Sequence, residues 1–498
     1  MIADIDGSAV IARANLGRPD PQRLLSQQCE RSARHILPRR RTRFRRQRVG
    51  AIRLQQTSVW IALGVAVAVR GLTVHSDQIK QYVRPKYSLL DLDRLQTFLF
   101  ERDVLSFGPL RTGLYPAAQL NAATSRSGYH YVWVRDNVFV AHAHYVNGRI
   151  DAAVSVVRAL SAFLSKYLFR FDDIIAGAVD RKAPMNRPHI RFDGERLSEL
   201  PEKWSHAQND ALGYFVWLFC NLASAGAIPL TGDGFALLEK FVAYFDAIRF
   251  WEDEDSGHWE EVREISASSI GVVVGGLEAM KAMLEAPARR QGFGSARIES
   301  NVRLLTDLLR RGRGALDAIL PAECVQPARQ KRRRFDAALL FLVYPIGVVG
   351  QAMADQIVGD VVGHLQGDVG IRRYIGDSYW CADYRELFSP QERSGDFSQN
   401  MERRNRLLKE GQEAQWCVFD PIMSAIYGAR YLKFGIASDI ENQIAYFNRS
   451  LGQITSTLRC PEAYFIERCE YVPNDNVPLR WTQANLWLAL KLMKSTAA

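Results

Sequence analysis

From about Ser88 onward, apolar residues recur at the three- and four-residue spacing of an α-helix in one segment after another, and strand-like alternation is rare. The clearest segments are "DAAVSVVRALSAFLSKYLF", "ALGYFVWLFCNLASAG", "FALLEKFVAYFDAIRFW", "SSIGVVVGGLEAMKAML", "NVRLLTDLLRRGRGALDAIL", "AALLFLVYPIGVV", "DPIMSAIYGARYL", "IENQIAYFNRSLGQI" and "WTQANLWLALKLMK". Weaker candidates near Leu90 to Asp103, Arg135 to Val146 and Ala352 to Leu365 bring the set to about a dozen. Some segments, such as "ALGYFVWLFCNLASAG", are apolar nearly all round, as an inner layer requires. Others, such as "NVRLLTDLLRRGRGALDAIL", carry one charged face, as an outer layer would. A ring of helical hairpins accommodates both kinds. No Pro/Gly/Ser-rich linker interrupts residues 85–498, so they are expected to form one all-α domain.

The 498-residue chain carries a net charge of +10, but residues 1–56 hold 13 Arg against 4 acids, so the rest is nearly neutral. The basic segment, centred on "RRRTRFRRQR", precedes an apolar run, "SVWIALGVAVAV", that is short for a bilayer span of about 20 residues. A disordered extension, an unusual export or anchoring signal, and translation from too early a start all fit residues 1–80; a poorly ordered extension without a part in the chemistry is the expectation. The arm lacks aromatic interleaving and any recognisable nucleic-acid module, so no nucleic-acid partner and no integral membrane domain are expected. Seven cysteines (Cys29, Cys220, Cys324, Cys381, Cys417, Cys460 and Cys469) show no CxxC spacing. That pattern fits a reducing, cytoplasmic location, with export as the alternative if the apolar run acts as a signal.

Five polar and aromatic clusters fall at the junctions between helical segments. "YHYVWVRDNVFVAHAHY" sets Arg135 and Asp136 at a helix start, as a cap and salt bridge or as ligands. "EKWSHAQNDALGYF" places Trp204, Gln208 and Asp210 before an apolar helix, where Asp210 also suits an N-cap. "SGHWEEVREISASSIG" pairs Glu260 with Glu261 beside Trp259; adjacent glutamates ordinarily mark a solvated helix face. "IRRYIGDSYWCADYR" gathers Arg372, Arg373, Tyr374, Asp377 and Trp380, and "RCPEAYFIERCEYVPNDNVPLRWTQANLW" holds Glu462 and a polar loop before the last helix. Sugars call for this mixture: C–H faces stack on aromatic rings, and hydroxyl edges need charged and amide partners in a concave site. Glycosidic cleavage adds two carboxyls, one protonated and one ionised. His206 and His258 stand at no metal-ligand spacing, and Asp253 and Asp255 in "WEDEDSG" read as a solvated turn rather than a Ca²⁺ loop. No metal and no cofactor are expected.

In order and wording the clusters resemble glycoside hydrolase family 15, the glucoamylases, and the related N-terminal domains of phosphorylase kinase regulatory subunits, over residues from about Leu89 to Leu492. The resemblance implies an (α/α)6 barrel, a six-hairpin toroid, and inverting exo-hydrolysis releasing glucose from the non-reducing end of α-glucans or α-oligoglucosides. "WVRDNVFV" is similar to the family's Trp-x-Arg-Asp stretch, which makes Arg135 and Asp136 ligands of the terminal glucose. "WSHAQNDA" implies stacking by Trp204 and pocket shaping by Asp210, although the family often has Arg-Asp where this chain has Asn209-Asp210. "HWEEV" implies Glu260 as general acid, with Trp259 beside it and Glu261 supporting sugar binding or positioning its neighbour. "RRYIGD" points to Arg373, with Tyr374, at the second sugar, and "CPEAYFIE" assigns Glu462 as general base.

Consecutive residues on a helix point about 100° apart, so Glu260 and Glu261 are expected not to face the same atom and to differ in role. Burial beside Trp259 and the charge of Glu261 are expected to raise the pKa of Glu260. The second function class is a non-catalytic glycan-sensing domain, and the third an interaction protein using the basic arm. Carboxylates at both 260 and 462 favour the hydrolase. The sequence carries no recognisable starch-binding module, which shifts the expected substrate toward soluble oligosaccharides; linkage is left open, and the chain is expected to be a monomer or weak oligomer.

Overall fold

The computed structural model describes residues 72–119, 121–286, 293–406 and 408–498. The arginine-rich segment, the apolar run at 58–69 and Cys29 lie outside the described residues. In chain order the principal helices are α1 (Leu89–Glu101), α2 (Val134–Val146), α3 (Ile150–Lys166), α4 (Asn209–Ser224), α5 (Gly232–Ile248), α6 (Ala267–Glu285), α7 (Ser295–Ile319), α8 (Leu340–Val343), α9 (Gln351–Asp360), α10 (Phe419–Phe434), α11 (Ala437–Gly452) and α12 (Arg480–Ala497). Local chemistry sets their ends. Ser88 opens α1 with a reciprocal cap, its hydroxyl accepting from the Asp91 amide at 3.2 Å while the Asp91 carboxylate accepts from the Ser88 amide at 3.0 Å. Arg249 closes α5 in the left-handed conformation.

The even-numbered helices form a closed inner ring: α2 packs on α4, α4 on α6, α6 on α8, α8 on α10, α10 on α12, and α12 returns to α2. The odd-numbered helices form an outer layer, with α1 against α12, α3 against α2, α7 against α6, α9 against α8 and α11 against α10. This is an (α/α)6 barrel. Every residue of α2 is buried, whereas α7 buries one stripe and exposes the rest, so apolar circumference in the sequence became radial position. Helix α6 is long and apolar enough to cross a membrane, but 83% of that window is buried within the ring.

Two expectations changed. The segment "AALLFLVYPIGVV" forms only a 3₁₀ turn at Ala337–Leu339 and the short α8, because Pro345 has no N–H and cannot continue the helix. Short strands also occur where none was expected, including Ala463–Glu467 paired with Glu470–Pro473 and with Gln415–Trp416. They lie in the connections, where they fix loops rather than build a layer.

Helices α4 and α6 approach through glycine. A Cβ on Gly213 would lie 2.9 Å from the backbone N of Val273, and one on Gly276 would lie 2.7 Å from the carbonyl oxygen of Gly213. Gly213→Ala is expected to lower unfolding free energy by about 1–3 kcal/mol in urea titrations through overpacking. Gly314→Ala, where an added Cβ meets nothing within 4 Å, is expected to raise it by about 0.5–1 kcal/mol through helix propensity.

Candidate active site

Five of the six inner helices, all but α8, present their N-terminal ends or the residues leading into them to one hollow. Its walls include Arg135 and Asp136 from the first turn of α2, Trp204 from the approach to α4, Trp259 and Glu260 before α6, Trp416 before α10, and Leu479 and Trp481 around the start of α12. Glu462, Arg373 and His258 complete the floor, so Glu260 and Glu462 face the same cavity. Short strands aim these groups. Val132–Trp133 pairs with Arg191–Asp193, which places Trp133 at the entrance to α2. The hairpin after Glu462 folds the chain back so that the Asn474 amide donates to the Ala463 carbonyl at 3.0 Å.

Glu260 is not on an α-helix. It follows the 3₁₀ turn Gly257–Trp259 at φ 59°, a left-handed conformation that a residue with a Cβ seldom adopts. Its amide donates to the Ser256 carbonyl at 3.0 Å, and the Ser205 hydroxyl donates to its carbonyl at 3.3 Å. One carboxylate oxygen accepts from the Trp133 indole at 2.7 Å and from Arg135 at 3.3 Å. Burial raises its pKa, opposed by Arg135, by hydrogen bonds from Gln208 and Trp133, and by Arg191. The expected contribution of the Glu261 charge is corrected, because that charge is already matched. Arg404, Arg373 and the Tyr374 hydroxyl all donate to Glu261, Arg373 at 2.7 Å. Burial alone would raise Glu261, but Arg404, Arg373 and Arg333 hold it at about 2. Trp259 is also differently engaged, donating to Asp336 at 3.0 Å rather than to Glu260.

Glu462 has a third environment. Tyr129 donates to one oxygen at 2.7 Å, and Asn474 and Asn476 donate to the other at 2.5 and 2.7 Å. Burial raises its pKa against the pull of these donors and of Arg373. Asp136 is raised to about 7 by burial and by the nearby charges of Glu260 and Glu462, against Arg135. Arg373 stands among Trp259, Tyr379 and Trp416, each ring centroid 5.0 Å from its guanidinium carbon, and Asp377 accepts from it at 2.6 Å.

Of the residues named from sequence, Arg135, Asp136, Trp204, Trp259, Glu260, Arg373 and Glu462 line the hollow, whereas Asp210, Glu261 and Tyr374 are buried behind it. Asp210 accepts from Arg135 at 2.7 Å and so acts on the pocket through that guanidinium. Tyr374 faces Glu261 and carries the Arg333 guanidinium 3.9 Å over its ring. Trp380 is fully buried against Phe465 and belongs to the core. Sequence reasoning missed Tyr129, Trp133, Tyr379, Trp416, Trp481, Arg404 and the pair Asn474 and Asn476. The first two sit in "YHYVWVRDN", and the asparagines in the polar loop "VPNDN", where the alternation of Asn was the available signal. Asp253 accepts from Arg187 at 2.7 Å and Asp255 from the Asn209 amide at 2.7 Å, which uses the acidic turn within the protein. His206 stacks on His189, and His258 contacts Tyr214 at 3.0 Å. Among the described residues no group of three or more His, Cys, Asp or Glu side chains is placed to hold a metal ion.

The two acid types give opposite pH dependence. Asp136 binds its proton more tightly folded than unfolded, 7 against 3.8, so its contribution is complete below about pH 4 and is lost as pH rises through 7. Glu261, at about 2 against 4.5 unfolded, contributes above pH 4.5 and loses that as pH falls through 2. In urea titrations between pH 3 and 8, Asp136→Asn should flatten the decline between pH 4 and 7. Glu261→Gln should cost about 3–5 kcal/mol at pH 7 by leaving the buried Arg404 guanidinium without its carboxylate, while Arg373 keeps Asp377.

Residues 102–375, more than half of the chain, match the family "Glycosyl hydrolases family 15". A probable phosphorylase b kinase regulatory subunit alpha of Caenorhabditis elegans is 24% identical over 314 residues, 58% of this chain and 24% of that protein. The chain thus spans about a quarter of that relative's length. A solved glycosidase variant aligns with a TM-score of 0.59 at 20% identity, over 82% of this chain and 98% of its own. Glucoamylase from Saccharomycopsis fibuligera aligns with a TM-score of 0.53 at 12% identity, over 87% and 99%. At these identities the structures share the fold. With the ring, the hollow at its helix N-termini and the family match in agreement, this chain belongs to glycosyl hydrolases family 15.

Proposed function

We propose that the protein is an exo-acting, inverting glycoside hydrolase that releases glucose from the non-reducing end of α-oligoglucosides, with Glu260 as general acid and Glu462 as general base. The observation that carries this reading is the placement of two differently held carboxyls on one aromatic-lined hollow. Glu260, raised by burial, keeps its proton for the leaving oxygen. Glu462 is also raised by burial, but its three hydrogen bonds oppose that rise and orient it toward a water. Arg135 and Asp136 would hold the hydroxyls of the terminal sugar, Trp204 and Trp259 its faces, and Arg373 the leaving-group side. Asp210, Glu261 and Tyr374 would position Arg135 and Arg373. In an inverting reaction water enters opposite the leaving group while the acid delivers its proton.

The similarity to a kinase regulatory subunit supports a second reading, a glycan-sensing domain that binds without cleaving. Glucose release from maltose, isomaltose, trehalose and soluble starch separates the two. The hydrolase reading expects Glu260→Gln and Glu462→Gln each to lower kcat by roughly 100- to 10,000-fold. It also expects β-glucose as the first product by NMR; α-glucose would exclude inversion. Activity should fall on the acid side as Glu462 gains its proton and on the alkaline side as Glu260 loses its own, both limbs lying above the ordinary glutamate value of 4.5. Wild type and variants equally inert on every sugar, with sugar binding retained, would favour sensing.

A further inference from the structure

Residues 388–404 run across the hollow as a strap. Ser394, Gly395, Asp396 and Phe397 line the same cavity as Glu260 and Glu462, while Gln399 and Asn400 further along are exposed. The strap is tied on both sides of the hollow. At its base Arg393 donates to Asp475 at 2.7 Å, and Arg385 just before it donates to the same carboxylate at 2.8 Å. At its tip Lys203, next to Trp204, donates to Gln399 at 2.5 Å. Its far end returns through Arg404, which donates to the Ser378 hydroxyl at 2.9 Å and to Glu261.

These ties meet the neighbours of both working carboxyls. Asp475 lies between Asn474 and Asn476, the two amides on Glu462, and Glu261 adjoins Glu260. Within the strap, one Asp396 oxygen accepts from the Ser398 amide at 2.9 Å, and the other is buried without a protein partner. A buried carboxylate oxygen left bare is costly unless a donor arrives. Beside it, Phe397 has Arg404 5.4 Å over its ring. A bare acceptor next to an aromatic ring suits a sugar, with one hydroxyl to Asp396 and a C–H face to Phe397. The strap thus forms one wall of the hollow, away from Arg135 and Asp136 in sequence and beside Arg373.

We propose that this strap is the leaving-group wall of the pocket, that Asp396 and Phe397 bind the leaving sugar, and that the crossing from Asp475 to Lys203 restricts the protein to short α-glucosides, chiefly disaccharides. The proposal rests on the hydrolase reading for its cleavage step but not for its binding step. The test compares kcat/KM for maltose, isomaltose, trehalose, maltoheptaose and 4-nitrophenyl α-glucoside in wild type, Asp396→Asn, Phe397→Ala, Phe397→Tyr and Lys203→Ala. Wild type should prefer the disaccharide it cleaves over maltoheptaose. Asp396→Asn and Phe397→Ala should lower kcat/KM for that disaccharide about tenfold, the loss of one buried contact. 4-Nitrophenyl α-glucoside, whose leaving group offers a ring but none of the sugar's hydroxyls, should lose less than the disaccharide does in Asp396→Asn and lose comparably in Phe397→Ala, with Phe397→Tyr restoring both. Lys203→Ala should narrow the gap between disaccharide and maltoheptaose. A length preference that is absent, or identical across all variants, overturns the proposal.

The same sugars titrated against tryptophan fluorescence separate it from the hydrolase reading. Binding without turnover removes the hydrolase, while the ratio of Kd values across chain lengths and variants still decides the strap. No binding of any sugar overturns both.

Discussion

Closure of the inner ring is the constraint on which the rest depends. A helix buried around its whole circumference, as α2 is, can reach polar partners only at its ends or inside the core. Inner helices with their starts on one side therefore gather polar chemistry at that mouth. The end groups there are unsatisfied N–H donors carrying partial positive charge. Arg135, Asp136 and Trp481 all come from first turns of inner helices, and Glu260 and Glu462 from the segments leading toward them. Apolar composition in the sequence thus directs the polar chemistry of the inner helices to that mouth.

Within that mouth, burial treats all carboxyls alike and their partners separate them. Glu261 receives two guanidinium groups and a phenol and stays charged. Glu260, the next residue, receives one indole and one more distant guanidinium and is raised. The left-handed turn at Glu260 makes this divergence possible, since it directs consecutive side chains to different sides of the wall. Arg135 links the two levels, reaching Asp210 beneath the pocket at 2.7 Å and Glu260 at its surface at 3.3 Å. Removing Asp210 would therefore act on Glu260 by freeing the guanidinium between them.

The ring and the order of its helices were legible because periodicity is a local property summed over long segments. The break at Pro345 was legible in principle from one residue and was passed over inside an apolar run. The division of the site residues was not. Trp380 and Trp416 are chemically equivalent in sequence, yet one is core and the other pocket wall, a difference set by loop geometry rather than composition. Tyr374 and Tyr379 divide the same way, five residues apart, because the irregular chain between them turns one ring toward Glu261 and the other toward Glu462. The strap escaped notice for a related reason, since its residues have no periodicity and its role arises from ties to Lys203 and Asp475, each distant in sequence.

Hydrolase and sensor would share most of this pocket, so aromatic walls and hydroxyl partners do not distinguish them. The hydrolase we propose draws its support from the environment of Glu462. Among the described residues it has no ion-pair partner, and it is held in a buried site by three neutral donors. Neutral donors orient a carboxylate and leave its charge in place, whereas a guanidinium would offset the desolvation more fully. The same protein does provide guanidinium groups where a carboxylate only braces structure, as at Glu261 with Arg373 and Arg404. In the proposed hydrolase the arrangement at Glu462 suits a base that takes a proton from water, because a guanidinium clamp would hold the carboxylate too firmly in its ionised form to accept one.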